Sequence, residues 1–332
     1  MTETNKKISV VGGGSWATAV VKMLCNTQEE VFWWMRNKEA IEHIKEYGHN
    51  PNYLSSAELP VEKLRFLDDL NEAFKADIVV MATPSAFLTS LFEDFEAPDM
   101  SEKMVISTIK GIIPESKEIP VDFFKRKFNM SEERMGMICG PCHAEEVAME
   151  KLSYLTIACP NQELAKSFAQ MLNCRYIYTT TCDDLVGMEI SAIMKNIYAL
   201  ASGICRGLNY GDNFQAVLIS NAVQETKRFI DAVQPVTRDI SKSGYLGDLL
   251  VTAYSPFSRN RVFGALIGKG YSVKSAQAEM SMIAEGYYAV KSVYEINKNY
   301  NAEIPIADAV YRILYEKVPP MLEMRLLAKK LT

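Results

Sequence analysis

The ten residues VVGGGSWATA, positions 10–19, constrain the fold of this chain more than any other stretch. A β-branched run from Ile8 to Val11 meets three consecutive glycines, and a helical pattern begins directly after them. Gly12-Gly13-Gly14-Ser15-Trp16-Ala17 fits the pattern G-x-G-x-x-G/A. In that pattern the first glycine makes a tight strand-to-helix turn, the second lets the backbone approach a pyrophosphate, and the last small residue lets the helix pack on the strand. The helix N-terminus then offers unpaired N–H groups and a positive dipole end to phosphates. Glycine-rich turns are common, so the fit gains its weight from its place between the first strand and the first helix.

Further apolar runs follow at Glu30–Met35, Asp77–Ala82, Met104–Thr108, Met135–Cys139, Tyr154–Cys159 and Tyr176–Thr179, with helical stretches or loops between them. Short buried strands alternating with helices predict an α/β fold with a mostly parallel sheet covered on both faces. With the glycine turn, residues 1–184 read as a Rossmann-type dinucleotide-binding domain. From about Asp184 the strand signals stop, and residues 185–332 read as an all-helical domain. In MEISAIMKNIYALASGI (188–204), Ile190, Ile193, Met194, Ile197, Leu200, Ala201 and Ile204 recur at helical spacing as a core stripe. Lys195 lies off that stripe among Ser191, Ala192, Ala199 and Ser202, small side chains that let a ligand or another backbone come close. Further helices are expected at Phe214–Ala232, Ser243–Thr252, Arg259–Ile267, Ser272–Asn297 and Pro305–Val318, and a substrate cleft between the two domains.

At 332 residues the chain is long enough for two cores, and 48% hydrophobic with 23% charged residues is ordinary for a globular protein. A net charge of -5 argues against nucleic acid or an anionic membrane as the main partner. The polar opening MTETNKKISV predicts no signal peptide, and no run reaches the roughly 18 apolar residues of a spanning helix. Seven cysteines at irregular spacing point to reduced thiols in the cytoplasm. Cys139-Gly140-Pro141-Cys142-His143 has the spacing of a redox dithiol and of a haem attachment site. The first needs a thioredoxin-like domain around it and the second needs export, and neither is evident.

A ribose gripped in the usual way needs an acidic residue about 20 positions past the glycines, at the end of the second strand. Trp33-Trp34-Met35-Arg36-Asn37 has none there. Arg36 is placed instead to meet a 2′-phosphate or to stack on adenine, with a solvated arginine as the alternative.

Taken together, VVGGGSWATA (10–19), MATPS (81–85), IKGI (109–112), GPCHAEE (140–146), EISAIMKNIYALASGI (189–204), GDLLVT (247–252), SRNRVFG (258–264) and AEGYYA (284–289) resemble the bacterial-type NAD(P)-dependent glycerol-3-phosphate dehydrogenases over essentially the whole chain. The resemblance implies reversible hydride transfer between NADPH or NADH and C2 of dihydroxyacetone phosphate, giving sn-glycerol 3-phosphate for phospholipid synthesis. It implies a small-molecule substrate and no nucleic acid, membrane span or metal, and it leaves a homodimer open. GPCHAEE then matches a loop near cofactor and substrate, not a redox site. There Gly140 and Cys142 are expected at the substrate and Ala144 at the cofactor, with Cys142 standing where many relatives have serine.

The resemblance places the proton donor and acceptor on Lys195, with Asn196 beside it. Lys110 is similar to a second lysine that touches the substrate, and Asp248 to a carboxylate that orients the catalytic lysine, with Thr252 one turn on. The only histidines are His43, His49 and His143, so the second domain has none to act as base. Ser258, Arg259 and Asn260, just before an apolar-periodic stretch, offer a guanidinium, an amide and a helix start to the substrate phosphate. Their other reading is a solvated helix start. Ser15, Trp16, Lys110, Arg259, Ile283 and Glu285 are expected at the cofactor together with Gly12, Gly14 and Arg36. Asp212, in a Gly211-Asp212-Asn213 loop that resembles the family's G-N-N, departs from the pattern.

Two other functions fit parts of this pattern. A ketopantoate-type or β-hydroxyacid reductase would share the fold, but its substrates lack the phosphate that Ser258-Arg259-Asn260 suits. A non-catalytic NAD(P)H sensor would have no need for Lys110, Lys195 and Asp248 together.

Overall fold

The structure, a computed structural model, describes residues 6–280 and 284–332. Strands β1 (Ile8–Val11), β2 (Val31–Trp34), β3 (Leu64–Leu67), β4 (Ile78–Met81), β5 (Met104–Ser107), β6 (Met135–Cys139), β7 (Ser153–Ala158) and β8 (Ile177–Cys182) form one sheet. Their order is β3-β2-β1-β4-β5-β6-β7-β8, parallel throughout except between β6 and β7. Every residue of β1, β4, β5 and β6 is buried, which explains why these strands read as unbroken apolar runs. β3 leaves no mark in the apolar pattern of the sequence. In its four residues, LRFL, an exposed arginine sits behind a buried leucine, so there is neither an apolar run nor a long alternation.

The strand order reverses at β1, whose neighbours are β2 and β4, and open α/β sheets bind ligands outside the strand ends at such a point. The glycine turn sits there. Gly12 has φ +137°, and a Cβ added to it would lie 2.4 Å from the carbonyl oxygen of Ala82, just past β4. Only glycine fits both the dihedral and the gap. The chain then enters the helix Ser15–Leu24 directly.

The chain divides into two compact units, Met1–Ile109 with Glu118–Leu185, and Lys110–Lys117 with Val186–Thr332. The second is helical. Its central helix, Leu185–Gly207, is buried at every residue from 187 to 205, so the expected one-sided stripe is in fact a helix covered all round. The expected Ser272–Asn297 helix is two, Val273–Ala278 and Glu285–Tyr300, with extended backbone at Ala284 before the second. The region expected as Ser243–Thr252 is a π-helical turn, Ser243–Gly247, running into the helix Asp248–Tyr254. Pro305–Leu314 is shorter than expected, and Pro320–Ala328 was hidden by a proline pair that starts the helix instead of breaking it. Among the described residues no helix is long and apolar enough to cross a membrane.

The central helix meets the helix Arg259–Gly268 backbone to backbone. Each carries a G-x-x-x-G pair, Gly203 and Gly207 on one, Gly264 and Gly268 on the other. A Cβ at Gly203 would stand 2.1 Å from the Arg261 carbonyl oxygen, and one at Gly264 would stand 2.2 Å from that of Leu200. Gly264→Ala should therefore force the helices apart and cost about 3 kcal/mol, at the upper end of overpacking penalties. Chemical denaturation measures this: Gly264→Ala should lower the unfolding midpoint well below that of Gly211→Ala, whose Cβ meets open space. Equal midpoints would refute the close contact.

Candidate active site

In the first unit the glycine turn is held from behind by side chains the sequence reading did not single out. The Trp33 indole Nε1 donates to the Gly12 carbonyl at 2.7 Å. Asn50 Nδ2 donates to the Gly13 carbonyl at 3.2 Å and to Thr18 Oγ1 at 2.9 Å, and Thr18 Oγ1 donates to the Gly14 carbonyl at 3.0 Å. On the other side, a Cβ at Gly14 would find no non-neighbouring atom within 4 Å. An open side above a ten-residue helix N-terminus suits a pyrophosphate, so the residues present fit a dinucleotide. Ser15 is buried in the first turn of that helix and Trp16 is half-buried against the core. Arg36 is exposed just past β2, before Asn37 caps the next helix. Glu30, at the other end of the strand, pairs with Arg65 at 2.7 Å.

The Cys139–Cys142 segment is built into the sheet. Cys139 Sγ donates to the Thr156 carbonyl at 3.2 Å and Cys142 Sγ to the Tyr154 carbonyl at 3.1 Å, both on β7. Gly140 and Cys142 are buried, and Ala144 is buried at the start of the short helix Ala144–Ala148. None of the seven cysteines is part of a disulfide.

The second unit gathers the expected charged residues. Lys195, in the middle of the central helix, is buried, and its Nζ donates to Asp248 Oδ1. Asp248 is only 1% exposed, and its other oxygen lies 3.9 Å from Lys110 Nζ. The Asn196 side chain donates to the Lys110 carbonyl at 2.9 Å, tying the 110–117 segment to the lysine helix. Asp248 opens its helix directly after the π-helical turn, an irregularity frequent at functional sites. Ser202, one of the small residues around Lys195, fixes that helix from its far end by donating to the Ala253 carbonyl at 2.8 Å. Thr252 Oγ1 is turned back onto the Asp248 carbonyl at 2.6 Å.

Ser258 caps the helix Arg259–Gly268 by accepting from Arg261 N–H. Asn260 Oδ1 accepts from Gly286 N–H at 2.9 Å, so its Nδ2 protons are the ones an anion would meet. A Cβ at Gly286 would lie 2.7 Å from the Asn196 carbonyl oxygen, so the start of the Glu285–Tyr300 helix is packed directly on the lysine helix. Ile283 lies outside the described residues.

Burial dominates the electrostatics. It lowers the Lys195 pKa to about 8, against the pull of the Asp248 carboxylate and with the help of the Lys110 charge. Near neutral pH the amine can therefore both give and take a proton. Desolvation raises the Glu285 carboxyl above its ordinary value, opposed by Arg259, Lys110 and Lys195. Five ionisable side chains from separate parts of the sequence thus share one electrostatic field. Among the described residues no group of three or more His, Cys, Asp and Glu could hold a metal ion.

Comparison with known proteins gives one family. Residues 7–165 match the NAD-dependent glycerol-3-phosphate dehydrogenase N-terminus and residues 184–324 the corresponding C-terminus. A glycerol-3-phosphate dehydrogenase [NAD(P)+] of Staphylococcus carnosus is 33% identical over 94% of this chain and 95% of its own length. The crystal structure of a glycerol-3-phosphate dehydrogenase from Coxiella burnetii superposes with a TM-score of 0.88 at 26% identity, covering 97% of this chain and 98% of that one. A ketopantoate reductase from Ralstonia eutropha, at 14% identity and TM-score 0.62 over 96% and 99% of the two chains, shares the fold alone.

Proposed function

This chain belongs to the NAD-dependent glycerol-3-phosphate dehydrogenase family, and from that premise we infer how its own residues carry the reaction. The reaction is the reversible NAD(P)H-dependent reduction of dihydroxyacetone phosphate to sn-glycerol 3-phosphate. The observation that carries the assignment of roles is the buried Lys195–Asp248 pair with Lys110 beside it.

The glycine turn, Ser15 and Trp16 hold the cofactor, with Arg36 at its adenine ribose and Ala144, Ile283, Glu285 and Arg259 as further contacts. Bound NAD(P)H supplies the hydride. Negative charge then grows on the substrate's carbonyl oxygen, where the Lys195 ammonium stabilises it and donates the proton. Asp248 keeps that ammonium pointed and available, and Lys110 adds a second positive charge while holding the Lys195 pKa down. In the oxidative direction neutral Lys195 takes the proton of the C2 hydroxyl. Asn196, Thr252, Gly140 and Cys142 line the substrate. Arg259, with Ser258, Asn260 and the helix start they share, holds the substrate phosphate.

A role in supplying glycerophospholipid synthesis follows from the product. A cytoplasmic location accords with seven cysteines that form no disulfide. A homodimer is the proposed assembly, with the half-exposed stacked pair Tyr154 and Tyr178 on the adjacent strands β7 and β8 as the surface offered to a second copy.

The direct test is oxidation of NADPH or NADH by purified protein with dihydroxyacetone phosphate, in wild type and Arg259→Ala. Binding energy from the remote phosphate positions the reacting carbon, so the variant should raise KM and also lower kcat. Unphosphorylated dihydroxyacetone should be a poor substrate that the mutation hardly affects. Equal sensitivity of both substrates would remove Arg259 from the phosphate.

Arg36→Asp should move cofactor preference toward NADH. A charge-assisted contact to the 2′-phosphate contributes about 1.5–3 kcal/mol, or about 10- to 150-fold in discrimination. Comparing kcat/KM for NADPH and NADH reads this ratio, and an unchanged ratio would make Arg36 a surface residue only.

A further inference from the structure

The three glycines of the turn share an arrangement that repeats at successive peptides. The carbonyl of Gly12 is held by Trp33, that of Gly13 by Asn50 and that of Gly14 by Thr18. A trans peptide is planar, so its C=O and the following N–H point in opposite directions. Fixing those three carbonyls toward the interior therefore fixes the N–H groups of Gly13, Gly14 and Ser15 toward the other side. Beside these peptides a Cβ on Gly14 would meet no non-neighbouring atom within 4 Å, so there is room at the turn for an anion.

Asn50 is the hub of this arrangement. It is completely buried, its Nδ2 donates to both the Gly13 carbonyl and Thr18 Oγ1, and Thr18 Oγ1 in turn donates to the Gly14 carbonyl. Its Oδ1 accepts from Asn52 N–H at 3.1 Å, which settles the amide orientation and leaves Nδ2 facing the turn. A glycine backbone has the widest conformational freedom of any residue, and three in a row would lose much of it on binding an anion. A buried side chain that fixes the peptide planes beforehand removes that loss from the binding step.

We propose that Asn50 is a positioning residue for the cofactor, aiming the backbone N–H groups of the glycine turn at the dinucleotide pyrophosphate. The role rests on the reading of this turn as the dinucleotide site. Asn50 touches no reacting atom; it acts through the peptide of Gly13 and the hydroxyl of Thr18.

The experiment measures NADPH affinity by fluorescence titration of the full-length protein, alongside steady-state kinetics, for Asn50→Asp, Thr18→Val and Gly14→Val. Asn50→Asp keeps the shape and removes both donors, setting a carboxylate against the Gly13 carbonyl. It should weaken NADPH binding at least tenfold, with the loss in the KM for NADPH and not in kcat at saturating cofactor. Thr18→Val keeps the volume, breaks one branch of the hub, and should weaken binding several-fold. Affinity within twofold of wild type in a folded Asn50→Asp overturns the proposal. If Asn50→Asp does not fold, Thr18→Val decides, and unchanged affinity there overturns it. A fall in kcat together with raised KM values for cofactor and substrate alike marks general structural damage and also overturns it. Gly14→Val tests the underlying reading separately: it should abolish NADPH binding, and normal binding there means the turn is not the cofactor site at all.

Discussion

Two helices touch backbone to backbone, and the placement of the chemistry in the second unit depends on that contact. Helices separated by ordinary side chains run about 8–10 Å apart. Here Gly203, Gly207, Gly264 and Gly268 remove the side chains from the crossing, and each would clash with a backbone oxygen if it carried a Cβ. One helix carries Lys195 and Asn196, and the other begins with Ser258, Arg259 and Asn260. The group proposed to move a proton and the groups proposed to hold a phosphate are therefore joined by rigid backbone. Gly286 extends the same logic to a third helix, bringing Glu285 into the field of both.

Within that frame the charges are arranged against their own solvation. An ammonium as deeply buried as Lys195 would ordinarily lose its proton, and a carboxylate as deeply buried as Asp248 would be costly alone. The Asp248 carboxylate favours the Lys195 ammonium, and Lys110, 3.9 Å from the other oxygen of Asp248, keeps the balance from favouring it completely. The result is a lysine close to the midpoint of its titration near physiological pH, which suits a group that must work in both directions of a reversible reaction.

Much of the first unit was legible because local sequence encodes it. The glycine turn, the buried strands and their alternation with helices all leave marks within a few residues. β3 escaped because four residues with an exposed arginine carry no period. The contacts of Asn50 and Trp33 escaped for a different reason: each joins the turn to a residue more than twenty positions away, and nothing in an Asn-Pro loop says which backbone it will hold. In the second unit the small residues around Lys195 did signal a close approach, and Ser202 shows one of them in use. Reading the apolar stripe as one face failed because the helix is covered on all sides, so its polar and small positions are as buried as its leucines. The roles of Lys110, Asp248 and Glu285 came from family resemblance alone, since a lone charged residue in a helix looks the same whether it is solvated or buried.

The pH dependence of kcat/KM for glycerol 3-phosphate oxidation, compared between wild type and Asp248→Asn, goes most directly to Lys195 as the tuned acid and base. Oxidation needs the neutral amine, so the wild-type profile should rise with pH through an inflection at about 8. Asp248 raises the lysine pKa, whereas burial and Lys110 lower it. Removing the carboxylate charge should therefore move the inflection to lower pH, whatever it does to the absolute rate. An inflection that stays in place, or moves up, would mean that the group titrating in the reaction is not Lys195.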